Sequence, residues 1–483
     1  MRARKIVGPD GGIPLLLACF RVFRGACYNV NCSSVNYGVL KGICKFTWRI
    51  SRVSYSESGG LTRRGFLGSS AAVVGILAST ASRRAVAAPG SRITLGCIGV
   101  GNHGRTYNLP NFLRIAEAQV VAVCDVFKDR RDEAKKVVDE AYGNQDCKTY
   151  NDFRDVLARD DIDAVVISTP DHWHVPLSIL AAKAGKDVFC EKPTLTIDEG
   201  HTLIRVIEET GVIYQGGIED RSVDVYHRLA ELVRNGALGK LKKIQVALPA
   251  GDLYPKEETV PVPEGFDYEM WLGPAPYSPY TPTKTGQQEW RNQFDYSGGK
   301  LTDWGAHLLD TAQVAMSQEH GGAISVDGKG TFPTDAVSNT ALDYEIKYVY
   351  PDKVKMTVKS GGTGSAFCGT DGWAGCPAWR KPLKASDRKI LRAVYAPETN
   401  KMYPIPVGEH QAFINGVKSR KMPYYSPEDI HRLSSAMHIG NISMRLGRKL
   451  KWDSIEEEFN NASEANRFRS RKPRKGWSVE ELR

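Results

Sequence analysis

The chain has 483 residues, 41% hydrophobic and 25% charged. That composition fits two globular domains and excludes collagen-like, disulfide-scaffold and wholly disordered chains. Its net charge of +10 belongs to one end: residues 1–88 carry 13 basic against 2 acidic side chains, and the rest carry 52 against 53. The body therefore has no basic footprint, and no nucleic-acid partner is expected.

In chain order, residues 1–60 form an N-terminal extension without periodicity. Its apolar run Pro14–Phe20 is far too short to cross a bilayer. The next methionine after Met1 is Met270, and translation starting near Val53 is the expectation. Residues 61–88 hold the pair Arg63-Arg64, an uncharged stretch 65–82 and the small-residue site Ala85-Val86-Ala87. They resemble a Tat-type signal peptide, which predicts a periplasmic or otherwise Tat-exported protein with no stable membrane insertion once the signal is removed. The alternative is a transmembrane anchor, against which the Gly/Ala/Ser content weighs.

Residues 89–215 are expected to be a Rossmann domain. The apolar strand Ile93–Ile98 runs into Gly99-Val100-Gly101-Asn102-His103-Gly104, a G-x-G-x-x-G, followed by a helical stretch and a strand Gln119–Cys124 ending at Asp125. The glycines let backbone approach a pyrophosphate at a helix N-terminus, and Asp125, 21 residues past Gly104, suits a ribose 2′-hydroxyl. Without that context the motif is no more than a Gly-rich turn. The carboxylate favours NAD over NADP by repelling a 2′-phosphate, moderated by nearby Lys128, Arg130 and Arg131. Helices are then expected at Asp129–Tyr142, Val175–Ala184 and Ile197–Thr210, and strands at Ile162–Ser168, Asp187–Cys190 and Val212–Gln215. Such alternation implies a doubly wound parallel sheet, with ligands at the carboxyl ends of its strands. Two polar clusters fall there, Ser168–His174 and Glu191-Lys192-Pro193.

At these clusters the chain resembles the Gfo/Idh/MocA family of nicotinamide-dependent oxidoreductases, in particular its secreted, Tat-exported subgroup. Thr169-Pro170-Asp171 with His174, Glu191-Lys192-Pro193, and Gly298-Gly299 through Asp303 to His307 match the family's motifs, and the resemblance covers about residues 92–480. It implies an α/β protein: the Rossmann domain, then a substrate-binding and oligomerisation domain over 216–483 with a large, mostly antiparallel sheet. It implies NAD and hydride transfer to or from a sugar or polyol hydroxyl, in a homo-oligomer, and export of a folded enzyme would require that cofactor to be tightly bound. Thr169, Pro170, His174 and Glu191 would join Gly99, Gly101, Asn102, His103, Gly104 and Asp125 at the cofactor. Lys192 would polarise the reacting oxygen, His307 would take its proton, and Asp303 would orient substrate or tune the histidine. Asp303 and His307, four apart, would share one helix face. Two alternatives stand: a redox-neutral, NAD-dependent glycoside hydrolase or lyase on the same fold, and a non-catalytic binding protein.

Other features have plainer readings. No metal is expected, although His172, His174 and His307 could offer ligands. The aromatic segment Trp271–Trp290 is expected to pack, with an oligomer or substrate role second. The basic tail Arg467–Lys475 is expected to be a solvated or subunit-contact segment. Cys97, Cys124, Cys147 and Cys190 read as small buried hydrophobes, and Cys368 with Cys376 as either a disulfide or two free thiols.

Overall fold

A computed structural model of the chain describes residues 92–317 and 322–482. The extension, the signal-like segment and the four cysteines before residue 50 lie outside them. Among the described residues no helix is long and apolar enough to cross a membrane.

The first sheet is parallel, with strands β1 (Ile93–Ile98), β2 (Ala118–Cys124), β3 (Lys148–Tyr150), β4 (Ala164–Ile167), β5 (Asp187–Glu191) and β6 (Tyr214–Gly217) in the order β3-β2-β1-β4-β5-β6. Helices α1 (Leu109–Leu113), α2 (Lys128–Tyr142), α3 (Phe153–Leu157), α4 (Asp171–Lys183) and α5 (Ile197–Thr210) link the strands. The order reverses at β1/β4, where such sheets open a ligand crevice. Local chemistry sets the helix ends. Thr196 and Glu199 form a reciprocal capping box at the start of α5, and Gly143 and Gly211 close α2 and α5 in left-handed conformations.

Two expectations are corrected here. The cluster Asp171–His174 is the first turn of α4 rather than a loop before it. The helix expected from Val175 begins four residues earlier, at Asp171, with Pro176 inside it. The last strand of the first sheet spans Tyr214–Gly217 rather than the expected Val212–Gln215.

The second sheet has nine strands: β7 (Leu241–Leu248), β8 (Ser325–Thr331), β9 (Asp343–Val349), β10 (Lys355–Ser360), β11 (Ser365–Gly369), β12 (Trp373–Cys376), β13 (Lys384–Ala385), β14 (Leu450–Asp453) and β15 (Glu458–Phe459). All its pairings are antiparallel except β7 with β10. Strands β9 and β10 alternate exposed, charged positions with buried Tyr344, Ile346, Tyr348, Met356 and Val358, as a sheet covered on one face requires. The covering helices are α6 (Asp224–Arg234), α9 (Gly305–Met316) and α11 (Pro427–Leu446). Shorter α7 (Tyr268–Leu272) and α8 (Lys300–Asp303) precede α9, and α10 (Glu409–Ser419) precedes α11.

The end of the chain returns to the first domain. Helix α11 packs on α5, and α10 contributes Phe413, Ile414 and Val417 to the core that holds Leu95, Val123 and Phe189. Most of the basic tail is exposed, as a solvated segment would be, but Arg469, Arg471 and Arg474 anchor it. Arg469 pairs with Asp198, Arg471 donates to the Phe294 carbonyl, Arg474 pairs with Glu269, and Trp477 meets Trp173 edge-on. Burial lowers the Arg471 guanidinium to about 10.

Most of the aromatic segment packs as expected, with Phe266, Tyr268, Trp271, Tyr280, Trp290 and Tyr296 in one cluster and Tyr277 exposed. The disulfide alternative fails: all six described cysteines are free. Cys368 faces Trp373 across the β11/β12 ladder and Cys376 faces Ser365, three steps away, which is roughly 10 Å along a strand.

Candidate active site

One cleft of about 450 Å³ lies between the carboxyl ends of the parallel strands and the second domain. Gly99, Gly101, Asn102, His103, Asp125, Thr169, Pro170, His174, Glu191, Lys192, Asp303 and His307 all line it. Residues spread over more than two hundred positions are thus brought together. Gly104 lies just behind the lining, where any Cβ would overlap the Gly99 carbonyl oxygen.

The glycine loop is built to receive a dinucleotide. Gly99 adopts φ +83°, and a Cβ there would come within 2.7 Å of the Ser168–Thr169 backbone, so the loop lies directly on β4's exit. At Gly101 the same hypothetical atom would meet only Arg130 Nη1, at 3.6 Å, so this glycine faces space that a side chain would fill. That empty cradle at a helix start is where a pyrophosphate fits. The Asp125 carboxylate accepts from the Val100 and Phe127 amides, which ties the loop to the end of β2. Two carboxylate oxygens retain lone pairs for a ribose hydroxyl. Arg130 stacks on Phe127 beside it, 3.6 Å from the ring centre.

Glu191 braces the loop from the other side. It accepts from His103 Nε2 at 3.1 Å and from Asn108 Nδ2 at 2.9 Å, and Asn108 in turn accepts from His410 Nε2. Burial works against the Glu191 carboxylate, but His103 outweighs it and holds the group well below its ordinary value. His174 has its ring nitrogens 2.9 Å from the Pro193 carbonyl and 2.8 Å from that of Thr169. It clamps the two motif segments together, which makes it a positioning residue.

Lys192 reaches from the end of β5 across the cleft to α8. Its Nζ lies 2.9 Å from Asp303 Oδ1 and 3.2 Å from the Asp303 carbonyl, and both side chains are largely buried. Arg291, stacked on Trp290, approaches Asp303 at 3.4 Å. Burial alone would raise the Asp303 carboxyl; Lys192 and Arg291 outweigh it and hold it far below its ordinary value. Burial would likewise lower the Lys192 ammonium, but Asp303 outweighs it and the pKa is raised. Lys192 is therefore a cation at neutral pH, suited to stabilising charge on a reacting oxygen.

His307 has a different partner from the one expected. Trp304 separates α8 from α9, so Asp303 and His307 do not share one continuous helix. His307 Nδ1 instead lies 3.2 Å from Asp220 Oδ2, within ion-pairing distance but off-line for a hydrogen bond. Asp220 also accepts from Trp379 Nε1 and Arg380, and Arg380 reaches Glu219 at 2.7 Å. Burial opposes the Asp220 carboxylate; the His307 and Arg380 contacts prevail and lower its pKa. Trp304 and Trp379 flank the imidazole, each ring centre 6.1 Å away.

Asp220, Glu219, Arg291, Trp379 and Arg380 were absent from the expected site. Only Glu219-Asp220 carried a signal, as the charged pair just past the first sheet. His172, by contrast, is a packing residue: it is buried against Trp271 and Tyr296, and burial lowers it to about 3. His172, His174 and His307 do not converge as a metal site; among the described residues the two convergent ligand groups are Glu219–Asp220–His307 and His201–His431–Glu457.

Comparison with known proteins agrees with this geometry. Residues 93–218 match the family model described as the oxidoreductase family's NAD-binding Rossmann fold, and residues 227–479 match the C-terminal alpha/beta domain of the same family. A glycosyl hydrolase family 109 protein of Saccharopolyspora erythraea is 37% identical over 123 residues, which is 24% of this chain and 26% of that protein. The uncharacterized oxidoreductase YrbE of Bacillus subtilis is 30% identical over 149 residues, 31% of this chain and 42% of that one. The chain thus matches less than half the length of these relatives. Among solved structures, the aldose-aldose oxidoreductase of Caulobacter crescentus superposes with TM-score 0.55 at 17% identity, covering 74% of this chain and 99% of that one. The WlbA dehydrogenase of Bordetella pertussis, solved with NADH and UDP-GlcNAcA, gives 0.56 at 16% identity over 75% and 99%. With both family domains matched in order over most of its length, the chain belongs to the Gfo/Idh/MocA family of oxidoreductases, with an NAD-binding Rossmann domain over residues 93–218.

Proposed function

We propose that the protein oxidises a sugar or polyol hydroxyl, or reduces the matching carbonyl, with NAD. The observation that carries this reading is the meeting of Lys192 and His307, from different domains, in the cleft that begins at the glycine loop. NAD, when bound, supplies a hydride acceptor at nicotinamide C4. The Gly99–His103 loop and Asp125 would hold its pyrophosphate and ribose, leaving the other end of the cleft for substrate.

The chain's own groups divide the proton work. The Asp220 carboxylate, 3.2 Å from His307 Nδ1, would stabilise the ring as it gains charge, and among the described residues His307 Nε2 makes no hydrogen bond, so it can take the hydroxyl proton. The Lys192 ammonium would stabilise the oxygen as it loses that proton, and Asp303 keeps Lys192 charged and aimed. Trp290, Trp304 and Trp379 form apolar walls against which a sugar ring can lie. The test is a panel of sugars and polyols offered with NAD, read by NADH formation. A responsive substrate whose turnover collapses in His307→Ala and Lys192→Met is the expected result.

A second reading has its own support in the glycosyl hydrolase family 109 relatives, whose match covers about a quarter of each chain. In it the hydride is returned after the aglycone departs. Glycosides distinguish the two: aglycone release with no net NADH favours the hydrolase, and NADH accumulation favours the dehydrogenase.

A further inference from the structure

Away from the cleft, three metal-ligating side chains from three separate elements meet at one point. His201 comes from α5, His431 from the second turn of α11, and Glu457 from the turn between β14 and β15. One ligand atom from each, an imidazole nitrogen of either histidine and a carboxylate oxygen, lies within 4.8 Å of the other two. His431 Nε2 is 2.6 Å and His201 Nε2 2.9 Å from Glu457 Oε2, and the two rings are 4.5 Å apart. None of the three lines the catalytic cleft.

We propose that His201, His431 and Glu457 bind one zinc-class divalent cation that fastens the first domain to the second.

The donor set decides the class of ion. Two imidazoles and one carboxylate suit zinc or cobalt, whereas magnesium and calcium call for oxygen ligands. Three protein ligands leave a fourth position, and half-exposed His201 opens the point to solvent, so an ion can enter and a water can complete a tetrahedron. Ligand atoms around a tetrahedral zinc stand roughly 3.3 Å apart, given bonds of about 2.0–2.1 Å. The observed 2.6–2.9 Å spacings to Glu457 need to open by about half an ångström, which side-chain rotation supplies.

The surroundings hold the ligands ready. Gly200 packs directly under His431: any Cβ there would overlap His431 Nδ1, so only glycine lets the ring lie flat on α5. Ser435 Oγ sits 3.5 Å from the same Nδ1 and can accept its proton while Nε2 faces the metal, the usual outer support of a ligating histidine. Binding then needs only a tautomer shift on each ring, from Nε2–H to Nδ1–H, with no group oxidised or reduced. Glu457 holds φ +50°, a left-handed conformation uncommon for a side chain of its kind, and this turns its carboxylate toward the two rings.

The experiment strips the full chain of metal with a chelator, adds zinc, and counts the bound metal after gel filtration, comparing the parent with His201→Ala and Glu457→Gln. The difference between parent and variant discounts zinc held by cysteines elsewhere. His201 is half-exposed, so its variant should fold; far-ultraviolet circular dichroism and an unchanged NAD titration check this. One zinc fewer per chain in both variants, or affinity weakened at least about tenfold, is the expected result. Cobalt should give the visible bands of a tetrahedral nitrogen–oxygen site in the parent and not in His201→Ala. Zinc content equal in parent and variants overturns the proposal. So does zinc lost in His307→Ala but kept in His201→Ala, which would move the ion to the Glu219–Asp220–His307 group. NAD binding and turnover are read separately, so failure here leaves the catalytic reading standing.

Discussion

Asp303 is the group that keeps Lys192 protonated, and the sign of its removal follows. Lys192 is buried, with Arg291 nearby; both lower an ammonium pKa, and Asp303 outweighs them. In Asp303→Asn the larger raising influence is lost, and Glu191 alone opposes burial and Arg291. The alkaline limb of the kcat/KM profile should therefore move to lower pH while the acid limb stays in place. A profile that merely drops without shifting would remove Asp303 from control of the lysine. His307 and Asp220 make a second unit. His307→Ala should cost about 10²- to 10⁴-fold in kcat, the usual contribution of a positioned base. Asp220→Asn should cost less, and the double variant little more than His307→Ala alone, because the residues act through one proton transfer. Stopped-flow turnover with a parallel NAD titration checks this, and NAD affinity should be unchanged.

Elements carry the dinucleotide site, and glycine substitutions separate its two roles. Gly104→Ala drives a methyl into the Gly99 carbonyl and should lower the melting temperature even without cofactor. Gly101→Val adds bulk only toward the cleft, so the apo melting temperature should hold while stabilisation by NAD disappears. Equal losses in both variants would mean that Gly101 is structural. This site was readable in sequence because strand, glycines, helix and Asp125 are local, spaced by turn geometry and capping rules. The start of α4 was not, because Pro176 fits a first turn as well as an interior position closed by packing. Asp220, Arg291, Trp379 and Arg380 stayed hidden for another reason. Their contacts with Asp303, His307 and one another join residues up to 160 positions apart, and only the docking of the second domain's loops puts them in reach. Lys192 with Asp303 was named as a set, yet the contact between them depends on the seam between the domains.

At the scale of the whole molecule, the returning tail is a fastener. Trp477→Ala should cost about 2–3 kcal/mol, below the roughly 3–5 of a fully buried tryptophan since Trp477 is only partly covered. The urea midpoint measures it, and a change under about 0.5 kcal/mol would reduce the tail to a surface strap. The twin-arginine motif supports a further proposal, that the chain is exported already folded. A cofactor lost outside the cytoplasm is not replaced, so dissociation has to be slow. Protein from the exported fraction should then contain near-stoichiometric NAD(H) and turn over without supplement; activity only on addition of NAD would count against it. Helix α10 sets a condition on synthesis as well. Phe413, Ile414 and Val417 sit in the first domain's core beside Leu95 and Val123, although more than three hundred residues of chain separate them from β1. A ribosome delivers the dinucleotide-binding strands early and this missing wall late. Until it emerges, the nascent half exposes an apolar flank and waits. A chain ended before α10 is therefore expected to keep that flank open, and limited proteolysis of such a truncation should cut its first domain faster than in the full chain.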